Sequence, residues 1–173
     1  MPRRRKHHLA DRVFEGQRFV VSVTICTADR DQWMCEPKLA DLIVQEVLRI
    51  HRDHPVLGYC VMPDHLHLIV CNAEVPISGI VGRFKGRVSH RILHIHPGRA
   101  LWQSGYWDHI VRREEGLYET LRYVLLNSVR KGLVEFWWDY RWLGSPMIGE
   151  VGPNFFSAAA PEDIVWSEIL RVD

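Results

Sequence analysis

Two histidines separated by one residue stand in an otherwise apolar run, Val61-Met62-Pro63-Asp64-His65-Leu66-His67-Leu68-Ile69-Val70. Side chains at i and i+2 of a β-strand share a face, so His65 and His67 present two imidazoles side by side. Neutral imidazole is among the commonest ligands of divalent metals. A structural pair of histidines has the same spacing, and the motif alone leaves both uses open. Further along, residues 115–130 follow a helical period, with Leu117, Leu121, Val124 and Leu125 on one side. Gly116, Glu119, Thr120, Tyr123, Asn127 and Arg130 fall on the other at about 100° per residue. Tyr123 and Asn127 are i, i+4 neighbours on that polar stripe, where an amide oxygen can ligate an ion that a phenol oxygen also faces. The plainer alternative makes Tyr123 an amphipathic residue and Asn127 a solvated one. If strand and helix meet, His65, His67 and Asn127 form an N, N, O set for Mg2+ or Mn2+ with positions left for a phosphate, and Tyr123 becomes a covalent nucleophile.

The positioning elements are legible in outline. Residues 17–27 are rich in Val, Phe, Thr and Ile and read as a first strand, and 37–53 repeat Leu39, Leu42, Ile43, Val47 and Ile50 at helical spacing. Strands over 55–61 and 65–71 flank the Met62-Pro63-Asp64 turn, so the second strand of a hairpin carries both histidines. A second helix is expected over 76–96, with Ile77, Ile80, Val81, Phe84, Val88 and Ile95 on its apolar face and Pro97-Gly98 closing it. A strand over 107–112 and the tyrosine helix follow. The order β-α-β-β-α-β-α predicts an α+β fold, a ferredoxin-like or RRM-like antiparallel sheet with helices packed on it and the histidine motif on a central strand.

At 173 residues and 47% hydrophobic, the chain supports one sizeable core. A basic arm over 1–12, one domain over 13–145 and a partly flexible tail over 146–173 are expected. No apolar stretch has the length of a membrane span and no signal-type segment follows the N-terminal arginines, so a cytoplasmic protein is expected. Cys26, Cys35, Cys60 and Cys71 are scattered and read as buried small hydrophobes in a reducing compartment. The net charge of +1 conceals segregation. Arg3, Arg4, Arg5 and Lys6 form the arm, and Arg83, Lys85, Arg87, Arg91 and Arg99 stand in a stretch without acids, whereas the C-terminal part is acidic. On the second helix Arg83, Arg87, His90 and His94 line one flank, a pattern suited to a phosphate backbone.

The His65-Leu66-His67 strand behind its Met-Pro-Asp turn, the Phe84-Lys85-Gly86 helix, Trp102-Gln103 with Tyr106-x-Asp108-His109, and Tyr123-x-x-x-Asn127 before Val129-Arg130-Lys131-Gly132-Leu133-Val134 resemble the REP-associated tyrosine transposases. These are single-tyrosine HUH transposases of the transposase-17 type, and the resemblance runs over about residues 10–145 in family order. It implies a metal-dependent enzyme that cleaves and rejoins single-stranded DNA beside palindromic hairpins through a 5′-phosphotyrosine at Tyr123, with Mg2+ or Mn2+ on His65, His67 and Asn127. It also implies DNA contacts from Arg3, Arg4, Arg5, Lys6, Arg83, Lys85, Arg87, Arg91, Trp102, Gln103 and Arg130, a bacterial, nucleoid-associated setting, and a monomer rather than a homodimer that exchanges its tyrosine helix. In one departure, Ser128 follows Asn127 where many members have proline, so the helix is expected to run on.

Two other readings remain open on sequence: a rolling-circle or relaxase-type HUH endonuclease, and a non-catalytic binder of single-stranded nucleic acid. Residues 136–142, Phe136-Trp137-Trp138-Asp139-Tyr140-Arg141-Trp142, suit packing against the sheet better than stacking on bases.

Overall fold

The structure, a computed structural model, describes residues 18–153 apart from 73–74, 96, 113–115 and 148. Five strands, β1 (Val20–Cys26), β2 (Val56–Met62), β3 (His65–Cys71), β4 (Trp107–Ile110) and β5 (Leu143–Gly144), form one sheet in the order β4-β1-β3-β2-β5. Every pairing is antiparallel. Helix α1 (Pro37–Asp53) connects β1 to β2, and α2 (Ile77–Ile92) connects β3 to β4. β3 therefore lies between β1 and β2, the arrangement expected of a ferredoxin-like fold, with β5 added at the β2 edge.

The period of two along the strands separates two cores. Val21, Val23 and Ile25 of β1 and Leu66, Leu68 and Val70 of β3 pack with Leu39, Ile43, Val47 and Ile50 of α1 and Ile77, Ile80, Phe84 and Val88 of α2. On the opposite face Val20, Cys60, Met62, Ile69 and Cys71 pack with Leu117, Leu121, Val124 and Leu125 of α3 (Leu117–Leu125), and with Trp137, Tyr140 and Leu143. His65 and His67 are in phase with Ile69 and Cys71, so both imidazoles belong to the α3 face.

The tyrosine helix does not run on. It is interrupted at Leu126 (φ −77°, ψ −2°) and resumes as α4 (Asn127–Arg130). Gly132, at φ 66°, ends it: its N–H donates to the Val129 carbonyl at 2.8 Å and the Leu133 N–H to the Ser128 carbonyl at 2.9 Å. This is a Schellman cap, so a left-handed glycine stops the helix without a proline. Helix α2 ends at Ile92 rather than at residue 96, and Leu93 and Ile95 are exposed. Among the described residues none covers an apolar face beyond Ile92. β4 stops at Ile110, and β5 is too short to leave a period in the sequence.

Cys26, Cys60 and Cys71 are buried as expected, whereas Cys35 is exposed. Packing accounts for most of the aromatic run: Trp137 and Tyr140 are buried, and the Tyr140 hydroxyl donates to the Val61 carbonyl at 2.7 Å. Phe136 remains exposed, stacked on Trp138 with ring centres 5.0 Å apart. No helix among the described residues is long and apolar enough to cross a membrane. The arm residues Arg3, Arg4, Arg5 and Lys6, and the tail from 154, lie outside the described residues.

Candidate functional site

The histidine Nε2 atoms converge to 3.0 Å. Each imidazole is fixed from behind by its other nitrogen: His65 Nδ1 lies 2.6 Å from Asp64 Oδ1, and His67 Nδ1 lies 3.1 Å from Thr24 Oγ1. A carboxylate accepts only, so His65 carries its proton on Nδ1 and turns the Nε2 lone pair forward. The Thr24 hydroxyl can donate or accept, so it suits either tautomer of His67. With no ion between the rings, His67 Nε2–H donates to His65. With the proton on Nδ1 facing Thr24, both lone pairs face the same point.

The electrostatics favour neutral imidazoles. Burial pushes His67 down to about 3, assisted by the neighbouring His65 and by the charge of Arg30. Burial also lowers His65, against the opposing pull of Asp64. For Asp64 burial works upward, but the His65 hydrogen bond and the Arg30 charge overcome it and keep the carboxyl below its usual range. Cys60, directly across from His67 on β2, is pushed up to about 12 by burial and is an uncharged neighbour rather than a thiolate.

Helix α3 closes this face because β2 carries no side chain where they cross. A Cβ at Gly58 would overlap Leu121 Cδ1, beside a register shift in the β2–β3 ladder. So docked, α3 sets the Tyr123 ring edge-on to His67, with centroids 5.9 Å apart, while the residue stays 47% exposed. The Arg130 guanidinium lies over the Tyr123 ring, 4.7 Å from its centre. Tyr118 is half-buried on the same helix.

Asn127 is buried rather than solvated. Its Nδ2 donates to the Tyr123 carbonyl at 2.7 Å, so the amide is tied to the turn that carries the phenol and Oδ1 is its lone-pair atom. The next residue, Ser128, meets the Cys60 thiol through its backbone, which places the start of α4 one strand across from His67. Among the described residues no three His, Cys, Asp or Glu cluster as a metal site, so a metal here would take its third donor from another kind of group, for which Asn127 Oδ1 is the candidate. The pair fits one: cis ligands at about 2.1–2.2 Å in octahedral geometry lie about 3 Å apart, matching the Nε2 separation, and both rings carry the outer hydrogen bonds that orient metal-binding histidines.

The expected DNA-contact residues are dispersed. Helix α2 lies on the opposite face of the sheet from the histidines, so Arg83, Lys85, Arg87 and Arg91 are not brought to this site. Arg87 Nε and Arg91 Nη1 donate to buried Glu46 at 2.8 and 3.0 Å and tie α2 to α1. Lys85 Nζ donates to the carbonyls of Gln103 and Gly105 at 2.8 and 2.6 Å and secures the loop before β4. Trp102 packs against Trp33 and Phe84 in the core, and the Gln103 N–H donates to the Cys26 carbonyl at 3.0 Å. Arg83 is exposed beside His54. Asp64, Thr24 and Gly58 were missed. Asp64 was legible only as a turn residue, and Thr24 becomes a partner of His67 only through β1–β3 pairing.

The profile of the IS200-like transposase family matches residues 18–125, more than half of the chain. The chain is 24% identical over 118 residues to a putative REP-associated tyrosine transposase of Haemophilus influenzae, a match covering 60% of this chain and 67% of that one. It is 23% identical over 91 residues to the REP-associated tyrosine transposase of Escherichia coli K12, covering 51% and 54%. The fold is similar to that of a REP-associated tyrosine transposase solved bound to a REP hairpin, with a TM-score of 0.61 at 18% identity over 83% of this chain and 82% of that one. A profile matched through β3 and the tyrosine helix, together with these relatives, shows that the chain belongs to the IS200-like transposase family.

Proposed function

We propose that this chain cleaves and rejoins single-stranded DNA beside palindromic hairpins, through a covalent phosphotyrosine at Tyr123 and with Mg2+ or Mn2+ on His65 Nε2, His67 Nε2 and Asn127 Oδ1. The observation that carries this reading is the convergence of two neutral, back-bonded imidazoles at 3.0 Å beneath a helix whose tyrosine stands edge-on to one of them. The metal, when bound, supplies Lewis acidity to the phosphoryl oxygens.

The rest is work for the chain's own residues. Tyr123 Oη attacks phosphorus in line. The new P–O bond to tyrosine replaces the bond to the 3′ oxygen, the phenol proton is given up to solvent, and the departing oxygen gains one to leave as a 3′-OH. One phosphodiester is exchanged for another, so a different 3′-OH can reverse the step without ATP. His65 and His67 add no charge of their own beside the polyanion, as carboxylate ligands would. Arg130 holds the phenol ring by its face and brings a cation to the side where the phosphate enters. The DNA contacts of the reaction are assigned to this rim, around Tyr123 and Arg130, rather than to α2. The packing of the Tyr123 helix on the sheet that carries its own histidines supports a monomer as the working unit.

The experiment is a labelled single strand carrying a hairpin, incubated with Mn2+ and resolved under denaturing conditions. A covalent protein–DNA band that disappears with Tyr123→Phe and with EDTA is the expected result. A strand bound with affinity but never joined or cut, in either metal, would refute the reading in favour of a non-catalytic binder.

A further inference from the structure

Arg30 lies outside every motif that suggested the site, and its backbone is unusual. Asp29 and Arg30 are consecutive non-glycine residues with positive φ, 52° and 59°. Side-chain-bearing residues avoid that region, and a turn needing only its backbone shape is better served by glycine. The conformation directs Arg30 to the turn that precedes the histidines. Thr27 N–H and Thr27 Oγ1 donate to the Asp64 carbonyl at 3.0 and 2.9 Å, and Arg30 Nη1 donates to Asp64 Oδ2 at 3.0 Å. The other carboxylate oxygen, Oδ1, holds His65 Nδ1 at 2.6 Å. Each oxygen of Asp64 thus has its own partner, and together they fix the plane of the carboxylate.

We propose that Arg30 is a positioning residue of this site, which through Asp64 keeps the His65 imidazole protonated on Nδ1 and its Nε2 lone pair turned towards His67. The proposal rests on the metal-dependent reading above. Without the guanidinium, Asp64 keeps only His65 and its own backbone N–H as partners, so the plane of the carboxylate, and with it the tautomer and ring angle of His65, is less firmly defined. Arg30 is half-exposed, and an ion pair of that kind adds little to global stability. Its effect is therefore local, on the readiness of His65 to bind.

The test uses the full-length metal-free protein with Mn2+ as the probe. Arg30→Gly removes the side chain while relieving the left-handed backbone, so it folds at least as well as the parent, and Arg30→Lys keeps a charge within reach of Asp64. Arg30→Gly is expected to raise the Kd for Mn2+ by up to about tenfold, the low end of the roughly 10- to 100-fold found for groups bonded directly to a metal ligand, because Arg30 acts one residue further out through Asp64. The melting midpoint should stay nearly unchanged, and side-chain nitrogen NMR should show His65 gaining the Nε2–H tautomer. Arg30→Lys should recover part of the affinity. Asp64→Ala should weaken Mn2+ at least as much, and adding Arg30→Gly to it should change nothing further. Unaltered Mn2+ affinity and unmoved His65 resonances in Arg30→Gly, or effects that add fully with Asp64→Ala, overturn the proposal while leaving a Tyr123 adduct and wild-type Mn2+ binding intact. Mn2+ binding that His67→Ala does not weaken would instead overturn the metal reading and this inference with it.

Discussion

Gly58 of β2 and Leu121 of α3 occupy adjoining space so closely that a methyl group on the glycine would overlap the leucine side chain. The tyrosine helix can reach the histidine face only because this position is bare. Gly58→Ala should therefore lift α3, destabilise the fold by about 1–3 kcal/mol through overpacking, and reduce adduct formation although no reacting group is altered. Leu121→Ala in the same chain should restore part of both. Thermal melts together with adduct yield check this, and unchanged yield in Gly58→Ala would show that the crossing does not set the phenol.

Tyr123→Phe deletes one oxygen and keeps the ring that packs beside His67 and beneath Arg130. It should retain the fold, Mn2+ binding and strand affinity, and form no adduct. Tyr118→Phe, one turn away and half-buried, should still form it. Gel-resolved adducts of the two variants, run side by side, identify the nucleophile.

Glu46 is 1% exposed and holds Arg87 and Arg91, with Arg49 nearby. Burial by itself would raise this carboxyl, but hydrogen bonds from Arg87 and Arg91 and the charge of Arg49 overcome it and hold it below its ordinary 4.5. A depressed folded value means the stabilisation is present above the unfolded value and lost as pH falls through the folded one. Wild type should lose stability on acidification below about pH 4.5, and Glu46→Gln should lose less there while being less stable by about 1–3 kcal/mol at neutral pH, the scale of hydrogen bonds to a charged group. Melts across a pH series decide the point.

The same substitution reports on the α2 arginines. Freed from Glu46, Arg87 and Arg91 gain donors for phosphate, so Glu46→Gln should bind unrelated single strands more tightly and with a steeper salt dependence. Arg87→Ala in the parent should cost stability more than affinity. If Arg87→Ala instead weakened DNA without moving the melt, α2 would be the backbone-tracking surface that its charge pattern suggests.

Much of the frame was legible because it rests on local periods. α1 and β3 have the limits that the sequence suggests, since Leu39, Ile43, Val47 and Ile50 repeat at helical spacing and His65 to Cys71 form an uninterrupted run beside a Pro-Asp turn. The common face of His65 and His67 follows from strand geometry alone. What escaped depends on partners distant in the chain. Arg87 and Arg91 look like a free flank until Glu46, buried on α1, comes opposite. That Lys85 also secures the loop before β4 appears only when the carbonyls of Gln103 and Gly105 fold onto it. Asn127 reads as solvated because its buried setting comes from a break at Leu126, where its own amide takes the Tyr123 carbonyl, an arrangement no helical wheel contains.

The contrast in exposure between Tyr123 at 47% and His65 and His67 at 8% each has a further consequence for how such a site operates. The imidazoles are sunk into the sheet while the phenol stands at the surface beside them. On the proposed reading the DNA covers the phenol from the solvent side. Its arrival would shut out the water that otherwise competes with the phenol, and departure of the 3′-OH strand would uncover the bond, so protection of the covalent link from hydrolysis would last only as long as that strand stays in place.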